Sequence, residues 1–248
     1  MNFEKTSNPV FSEGRLRGLT ESFAGTGPMT MAGTATKTLL LFALVLLTGS
    51  ITWKMFGVGN TALVPCMIAG GIGAFIFAIV NCVKPDKSYI FAPLYALCEG
   101  LLLGAVSAMY AAQLDGIVLS AVMLTIAVSA VVFVCYRFGI LRASNTFVKV
   151  ITYATIGIAV FYLLSMVLRL FGINFSLFNL GWVGILIQLV IVGIAALNLV
   201  LDFNNVENGI QNGVPAHYEW YYGFGLMVTL VWIYLEILRL LLMLSRRN

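Results

Sequence analysis

The chain has 248 residues, of which 60% are hydrophobic and only 10% carry a charge. An ordinary soluble domain has roughly 25% charged residues, so a soluble fold of this composition would expose a largely apolar surface. Intrinsic disorder is excluded because disordered chains are poor in apolar side chains. Four cysteines are too few for a small secreted domain stapled by disulfides. The composition therefore predicts an integral membrane protein.

Seven apolar stretches are long enough to cross about 30 Å of hydrocarbon, which takes about 20 residues in a helix. They cover roughly residues 37–56, 62–83, 90–112, 116–136, 147–171, 181–202 and 221–244. The stretches are apolar on all sides rather than alternating, so they predict helices and not barrel strands. We therefore expect an all-α, polytopic domain with seven transmembrane helices over residues 37–248, preceded by a partly disordered tail over residues 1–36. A GxxxG pattern at Gly100 and Gly104 is interpreted as helix packing within the bundle.

Lys and Arg are concentrated in the tail and in alternate connections, which sets the expected orientation. With the N-terminus in the cytoplasm, that side collects Lys5, Arg15, Arg17, Lys37, Lys84, Lys87, Arg137, Arg142 and Lys149. The other side collects only Lys54 and Arg169 before the last stretch. Arg239, Arg246 and Arg247 do not fit this pattern, so a re-entrant last segment is the alternative to a seventh span. The length of the stretch 221–244 favours a seventh span. We therefore expect a multi-pass protein of a plasma membrane or a bacterial inner membrane.

Three of the ten acidic residues lie within the predicted spans, namely Glu99, Asp202 and Glu236. An ionised carboxylate at the centre of a bilayer costs at least about 2.5–3.5 kcal/mol, so each of these residues needs a partner or a functional role. Arg239 follows Glu236 by three residues and is its candidate counter-ion on the same helix face. Asp202 ends the sixth apolar run, where it could instead face the cytoplasm. Glu99 has no cation within four residues and is expected to line a path or to hold helices together.

Two carboxyl groups that meet in a low-dielectric interior share a proton rather than both ionise, and such a pair responds to pH. The same oxygens are suitable ligands for a hard cation such as Ca²⁺. The residue types alone leave open whether Asp202 and Glu236 meet.

Short motifs in three spans and in the tail carry a family resemblance. They are Glu99-Gly100-Leu101-Leu102-Leu103-Gly104, Leu201-Asp202-Phe203-Asn204, Tyr234-Leu235-Glu236-Ile237-Leu238-Arg239, Ser7-Asn8-Pro9-Val10-Phe11 and Met29-Thr30-Met31. Together they resemble the Bax inhibitor-1 family, also called transmembrane BAX inhibitor motif proteins, in its bacterial YccA-type branch. Two features depart from the better-known bacterial relatives: the last helix has Glu236 where they have Asp, and the 203–220 connection is longer. In addition, no Arg lies within the second span.

The resemblance implies a central last helix wrapped by six others and a pH-sensitive Ca²⁺ leak. The acidic pair that gates the leak in this family falls on Asp202 and Glu236, which would also be the Ca²⁺ ligands. Ca²⁺ and protons are then the expected partners besides the lipid bilayer, and no resident cofactor is expected.

The alternatives to a leak are an enzyme, a proton-coupled transporter and a non-transporting regulator. No HExxH or Gly-x-Ser-x-Gly motif occurs, and the single histidine, His217, is expected to be an ordinary loop residue, so we expect no enzyme. A proton-coupled transporter also uses buried carboxyls and differs from a leak by saturable transport. A non-transporting regulator could bind another membrane protein, such as a membrane protease, through Leu16, Leu19 and Phe23 of the tail. The basic residues flank helices rather than forming a patch, so no nucleic-acid partner is expected.

Overall fold

The computed structural model describes residues 27–172 and 177–246. This part of the chain forms seven long helices: α1 (Met31–Gly57), α2 (Leu63–Val83), α3 (Ser88–Ala111), α4 (Ile117–Arg137), α5 (Asn145–Leu170), α6 (Trp182–Gln211) and α7 (Glu219–Ser245). Each helix is long and apolar enough to cross a membrane, and no strand occurs in the described ranges. The all-α, polytopic fold with seven spans is therefore confirmed.

Two helix boundaries differ from the sequence-based expectation. Helix α1 begins at Met31, so residues 31–36 of the predicted tail belong to a transmembrane helix. The side chain of Thr30 caps it by accepting a hydrogen bond of 2.9 Å from the backbone N–H of Gly33. Residues 1–26 of the predicted tail, with its proposed docking segment, lie outside the described residues.

Helix α6 continues to Gln211 instead of ending at Asp202. The apolar run stops at Asp202, but Val206 and Gly209 remain buried on one side of the added turns. A helix can become amphipathic at its end and still be held by its buried stripe. Asp202 is consequently an interior residue of α6, which corrects its expected position at a helix end.

Helix α7 is the central helix of the bundle. It packs against α1, α3, α4 and α6, whereas α2 lies on the outside against α1 and α3. Met227, Ile233 and Leu238 of α7 are fully buried. Helix α5 is peripheral and packs mainly on α6.

Helices α1 and α3 approach each other through glycine. A Cβ atom on Gly104 would lie 2.1 Å from the carbonyl oxygen of Gly49, and one on Gly100 would lie 2.0 Å from Thr48 Oγ1. Neither position has room for any side chain. Such close backbone contact supplies the packing energy that apolar surface alone does not supply between helices in lipid. The GxxxG pattern therefore packs α3 inside the bundle, as predicted.

One end of the bundle, which we call the N-terminal face, carries residues 27–30 together with the turns at 84–87, 138–144 and 212–218. The N–H of Met29 donates to the carbonyl oxygen of Val214 at 2.7 Å, and the N–H of Ala216 donates to that of Gly27 at 2.9 Å. Met29 is only 1% exposed. These contacts fix the start of α1 to the α6–α7 turn.

The carboxylate of Glu219, the first residue of α7, reaches the N-terminus of α1. Its Oε1 accepts hydrogen bonds from the N–H of Thr30 at 2.9 Å and from the hydroxyl of Thr30 at 3.2 Å. A negative charge at this position also interacts favourably with the dipole of α1.

Candidate functional site: two buried polar sites on helices α6 and α7

The three predicted acids lie at two different depths in the bundle. Tyr95 and Phe224 pack edge to face with ring centroids 4.9 Å apart, so that part of α3 lies beside the first half of α7. Glu99, one turn after Tyr95, is therefore in the half of the bundle nearer the N-terminal face. Asp202 is in the same half, because it lines the same pocket as Thr229 of α7. Glu236 follows Thr229 by seven residues, which is roughly 10 Å along a helix.

The structure does not bring Asp202 and Glu236 together. Helices α6 and α7 are antiparallel, so residues at equal distances from their turn lie side by side. Asp202 precedes Val214 of that turn by 12 residues, whereas Glu236 follows Val214 by 22. The offset of seven residues between Thr229 and Glu236, and the difference of ten residues counted from Val214, place the two carboxylates about 10–15 Å apart along the helix axis. The predicted proton-sharing pair and the predicted joint Ca²⁺ site are therefore not formed in this conformation.

Glu236 is instead the centre of a second polar site, which we call the Glu236 cluster: Glu236, Arg239, Tyr162, Gln188 and Trp232. Arg239 Nη1 lies 2.9 Å from Glu236 Oε2, so the predicted counter-ion forms the ion pair. Gln188 Nε2 donates to the same oxygen at 2.6 Å, and Trp232 Nε1 donates to Oε1 at 3.0 Å. The Tyr162 hydroxyl is 2.9 Å from both carboxylate oxygens. Glu236 is only 2% exposed, so its charge depends on these donors.

Three members of this cluster, Tyr162, Gln188 and Trp232, were not predicted from the sequence. Gln188 lies in the middle of an apolar helix and is completely buried, which requires hydrogen-bond partners from its neighbours. Tyr162 brings the otherwise peripheral α5 to the cluster, and Arg239 also lies 4.8 Å from the centre of its ring. A glutamine within a predicted span was the available signal, but its partner could not be read from the sequence.

The second site is a pocket of about 650 Å³ that extends from the N-terminal face into the bundle. Helices α6 and α7 form one wall, and α2 and α3 form the other. Its polar lining comprises Tyr95, Asp202, Asn205, Asn208, Asn212, Tyr221, Tyr222 and Thr229. The α6 members recur every three or four residues and so share one helix face. Asn212 is exposed at the mouth, and Asp202 is at the inner end, about 15 Å deeper.

Asp202 has an unsatisfied carboxylate oxygen in this pocket. Its Oδ2 is buried, and none of the described residues hydrogen-bonds it. Among the described residues that line the pocket, none carries a positive charge. A buried carboxylate without a cation is unfavourable, so this site favours binding of a proton or of a positively charged ligand. We refer to it as the Asp202 pocket.

Glu99 lies behind the wall of the Asp202 pocket rather than in it. It is only 7% exposed and lies one turn from Tyr95 on α3. Tyr95 lines the pocket, whereas Glu99 is not one of its lining residues. The acids at a common depth are therefore Glu99 and Asp202, not Asp202 and Glu236.

An apolar layer separates the Asp202 pocket from the Glu236 cluster. Leu199 and Val200 of α6 and Ile233 of α7 are completely buried at this depth. They belong to one contiguous hydrophobic core. In this conformation the two polar sites are not continuous along α6 and α7.

The sequence profile of the family described as Bax inhibitor 1 like matches residues 8–246. The chain belongs to this family. Neither a curated protein nor a solved structure matches it. The match includes all seven helices, so both polar sites of this Bax inhibitor-1-like protein lie within the family region.

Among the described residues of this Bax inhibitor-1-like protein, no group of three or more His, Cys, Asp or Glu side chains is placed to hold a metal ion. Cys66, Cys82, Cys98 and Cys135 are free thiols.

Proposed function

We propose that this Bax inhibitor-1-like protein is a non-enzymatic cation leak, with Ca²⁺ as its permeant ion and the Asp202 pocket as its entrance. The observation that carries the proposal is the unsatisfied Oδ2 of Asp202 at the inner end of a polar pocket. An uncompensated carboxylate in a cleft raises the local concentration of cations. The family resemblance supports Ca²⁺ as the ion.

The positive-inside rule supports a cytoplasmic N-terminal face. Lys84 and Lys87 lie in or beside its α2–α3 turn, and Arg137 and Arg142 lie in or beside its α4–α5 turn. The proposed entrance is therefore on the cytoplasmic side.

The structure corresponds to a closed state in this proposal, because the apolar layer of Leu199, Val200 and Ile233 blocks the way to Glu236. Opening requires α6 and α7 to shift relative to one another at this layer. A proton on Asp202 removes the charge that attracts cations. Loss of the Glu236–Arg239 ion pair loosens α7 beyond the layer. Either change shifts the population between closed and open packings.

Ca²⁺ flux into dye-loaded proteoliposomes tests the proposal. We expect Asp202→Asn to lower the leak several-fold and to abolish its dependence on pH. Asp115→Asn makes the same chemical change at an exposed residue in the α3–α4 connection and should leave the leak unchanged. Equal leaks and equal pH profiles for the wild type and Asp202→Asn would contradict the proposed entrance.

Glu236→Gln tests the second site in the same assay. Loss of the ion pair should raise the leak, because α7 is held less firmly to α5 and α6. A linear dependence of flux on the Ca²⁺ gradient distinguishes the leak from a proton-coupled transporter, for which flux saturates.

A further inference from the structure

We propose that the Asp202 pocket is also a binding site for a free, small organic cation with a methylated ammonium group. The buried Oδ2 of Asp202 has no hydrogen-bond partner among the described residues, and no described lining residue offers a compensating cation. A ligand that enters the pocket gains most when it supplies a positive charge close to the Asp202 carboxylate, which lines the pocket.

Aromatic rings in the pocket wall favour tight binding of an organic cation, whereas a permeant Ca²⁺ ion only passes through the pocket. Tyr95, Tyr221, Tyr222 and Phe224 line the pocket together with Asp202. Tyr95 packs perpendicular to Phe224, and Tyr221 packs at 76° to Tyr222 with ring centroids 5.7 Å apart. Tyrosine and phenylalanine faces attract ammonium groups, and quaternary ammonium ligands are typically held between aromatic rings. These contacts within the wall hold the rings in fixed orientations, so little ordering is needed on binding.

The ligand set and the size of the pocket lead to the same class of ligand. Tight Ca²⁺ binding takes six to eight oxygen ligands, often from several carboxylates, whereas Asp202 is the only carboxylate among the described lining residues. The Asn side chains at the mouth can hydrogen-bond a hydroxyl or amide on the ligand. The volume of about 650 Å³ is within the range of about 300–1,000 Å³ for small-molecule sites. A phosphate would find no positive side chain among the described lining residues, which disfavours a phospholipid headgroup.

Isothermal titration calorimetry of the purified protein in a maltoside detergent tests the site, with choline chloride as the probe. The neutral isostere 3,3-dimethylbutan-1-ol has the same shape without the charge. We expect choline to bind at one site and the isostere not to bind. Asp202→Asn should weaken choline binding about 30-fold or more, because the buried charge pair is lost. The readout is binding, so the result is independent of whether the protein conducts Ca²⁺.

Substitutions at Tyr221 test the aromatic part separately and do not alter the buried acid. Tyr221→Leu should weaken choline binding about tenfold, whereas Tyr221→Phe keeps the ring and should retain the affinity. Tyr153→Leu removes a tyrosine that is 70% exposed on α5 and serves as the matched control. Thermal unfolding of each variant checks that it is folded.

Three results would overturn the proposal. The first is choline binding that is no tighter than binding of its neutral isostere, and the second is equal choline affinity for the wild type and Asp202→Asn. Equal affinity for choline and for glycerophosphocholine would assign the pocket to a lipid headgroup instead of a free cation.

Discussion

Removal of Arg239 should destabilise the protein far more than removal of both members of its ion pair. In Arg239→Met, Glu236 loses the cation beside it while its side chain is only 3% exposed. Tyr162 and Gln188 still donate hydrogen bonds, but no cation remains beside the carboxylate. Removal of one member of a buried ion pair lowers the free energy of unfolding by about 3–5 kcal/mol. For a chain of this size that corresponds to a fall in Tm of about 6–20 °C.

The double variant Glu236→Gln/Arg239→Met should recover most of this loss. A neutral glutamine at position 236 removes the buried charge. Gln188 Oε1, which has no hydrogen-bond partner among the described residues, can accept from its amide. Replacement of a buried ion pair by neutral groups is often close to neutral for stability.

Thermal unfolding of the three variants in detergent, followed by tryptophan fluorescence, completes the double-mutant cycle. The single variants are Arg239→Met and Glu236→Gln. The second variant should lose less stability, because the Arg239 side chain is 28% exposed and can hydrogen-bond water when residue 236 is neutral. The expected order of Tm is wild type highest, then the double variant and Glu236→Gln, with Arg239→Met lowest. Equal Tm values for Arg239→Met and the double variant would refute the argument, because the loss would then come from packing rather than from an uncompensated charge.

Three further predictions concern the packing that positions the two sites. Gly104→Ala should lower the Tm by several degrees, because its Cβ would lie 2.1 Å from a carbonyl oxygen of α1, whereas Gly157→Ala has open space and should not. Glu219→Gln should cost about 1 kcal/mol in unfolding free energy and speed amide hydrogen exchange in the first turn of α1, and unchanged exchange there would contradict the capping role. Met29→Ala should cost about 2–5 kcal/mol, since Met29 is 1% exposed, while Met31→Ala at a 43% exposed position is the control; similar Tm values for both would show that the segment before α1 is not anchored by Met29.

Much of the fold was predictable because the bilayer restricts what a chain can do. Backbone polar groups in hydrocarbon must be satisfied within each segment, so long apolar runs have to be helices. The end of α6 was predicted wrongly, because this constraint no longer applies where the apolar run stops. Helix α6 runs on past Asp202 to Gln211, because Val206 and Gly209 are buried by neighbouring helices. Their burial depends on contacts with distant parts of the chain.

The candidate sites were predictable in part, for a related reason. A charged residue within an apolar run is conspicuous, and its need for a counter-ion correctly suggested the pairing of Glu236 with Arg239. Contact between Asp202 and Glu236 was a different kind of expectation, since it required the register of two antiparallel helices. Tyr162 joins the Glu236 cluster from α5, and nothing in its local sequence specifies that partner.

The sequence by itself determined that this is a seven-helix membrane protein with three acidic residues at positions where an ionised side chain is energetically unfavourable. Residue type and run length suffice for that, because the cost of charge and of unpaired backbone in hydrocarbon does not depend on the fold. Only the tertiary structure decided which groups meet the acids. The α6–α7 turn lies at residues 212–218, and this position sets the register of the two helices. It places Asp202 in an open polar pocket and Glu236 in a separate cluster, where Arg239, Gln188, Trp232 and Tyr162 donate to its carboxylate.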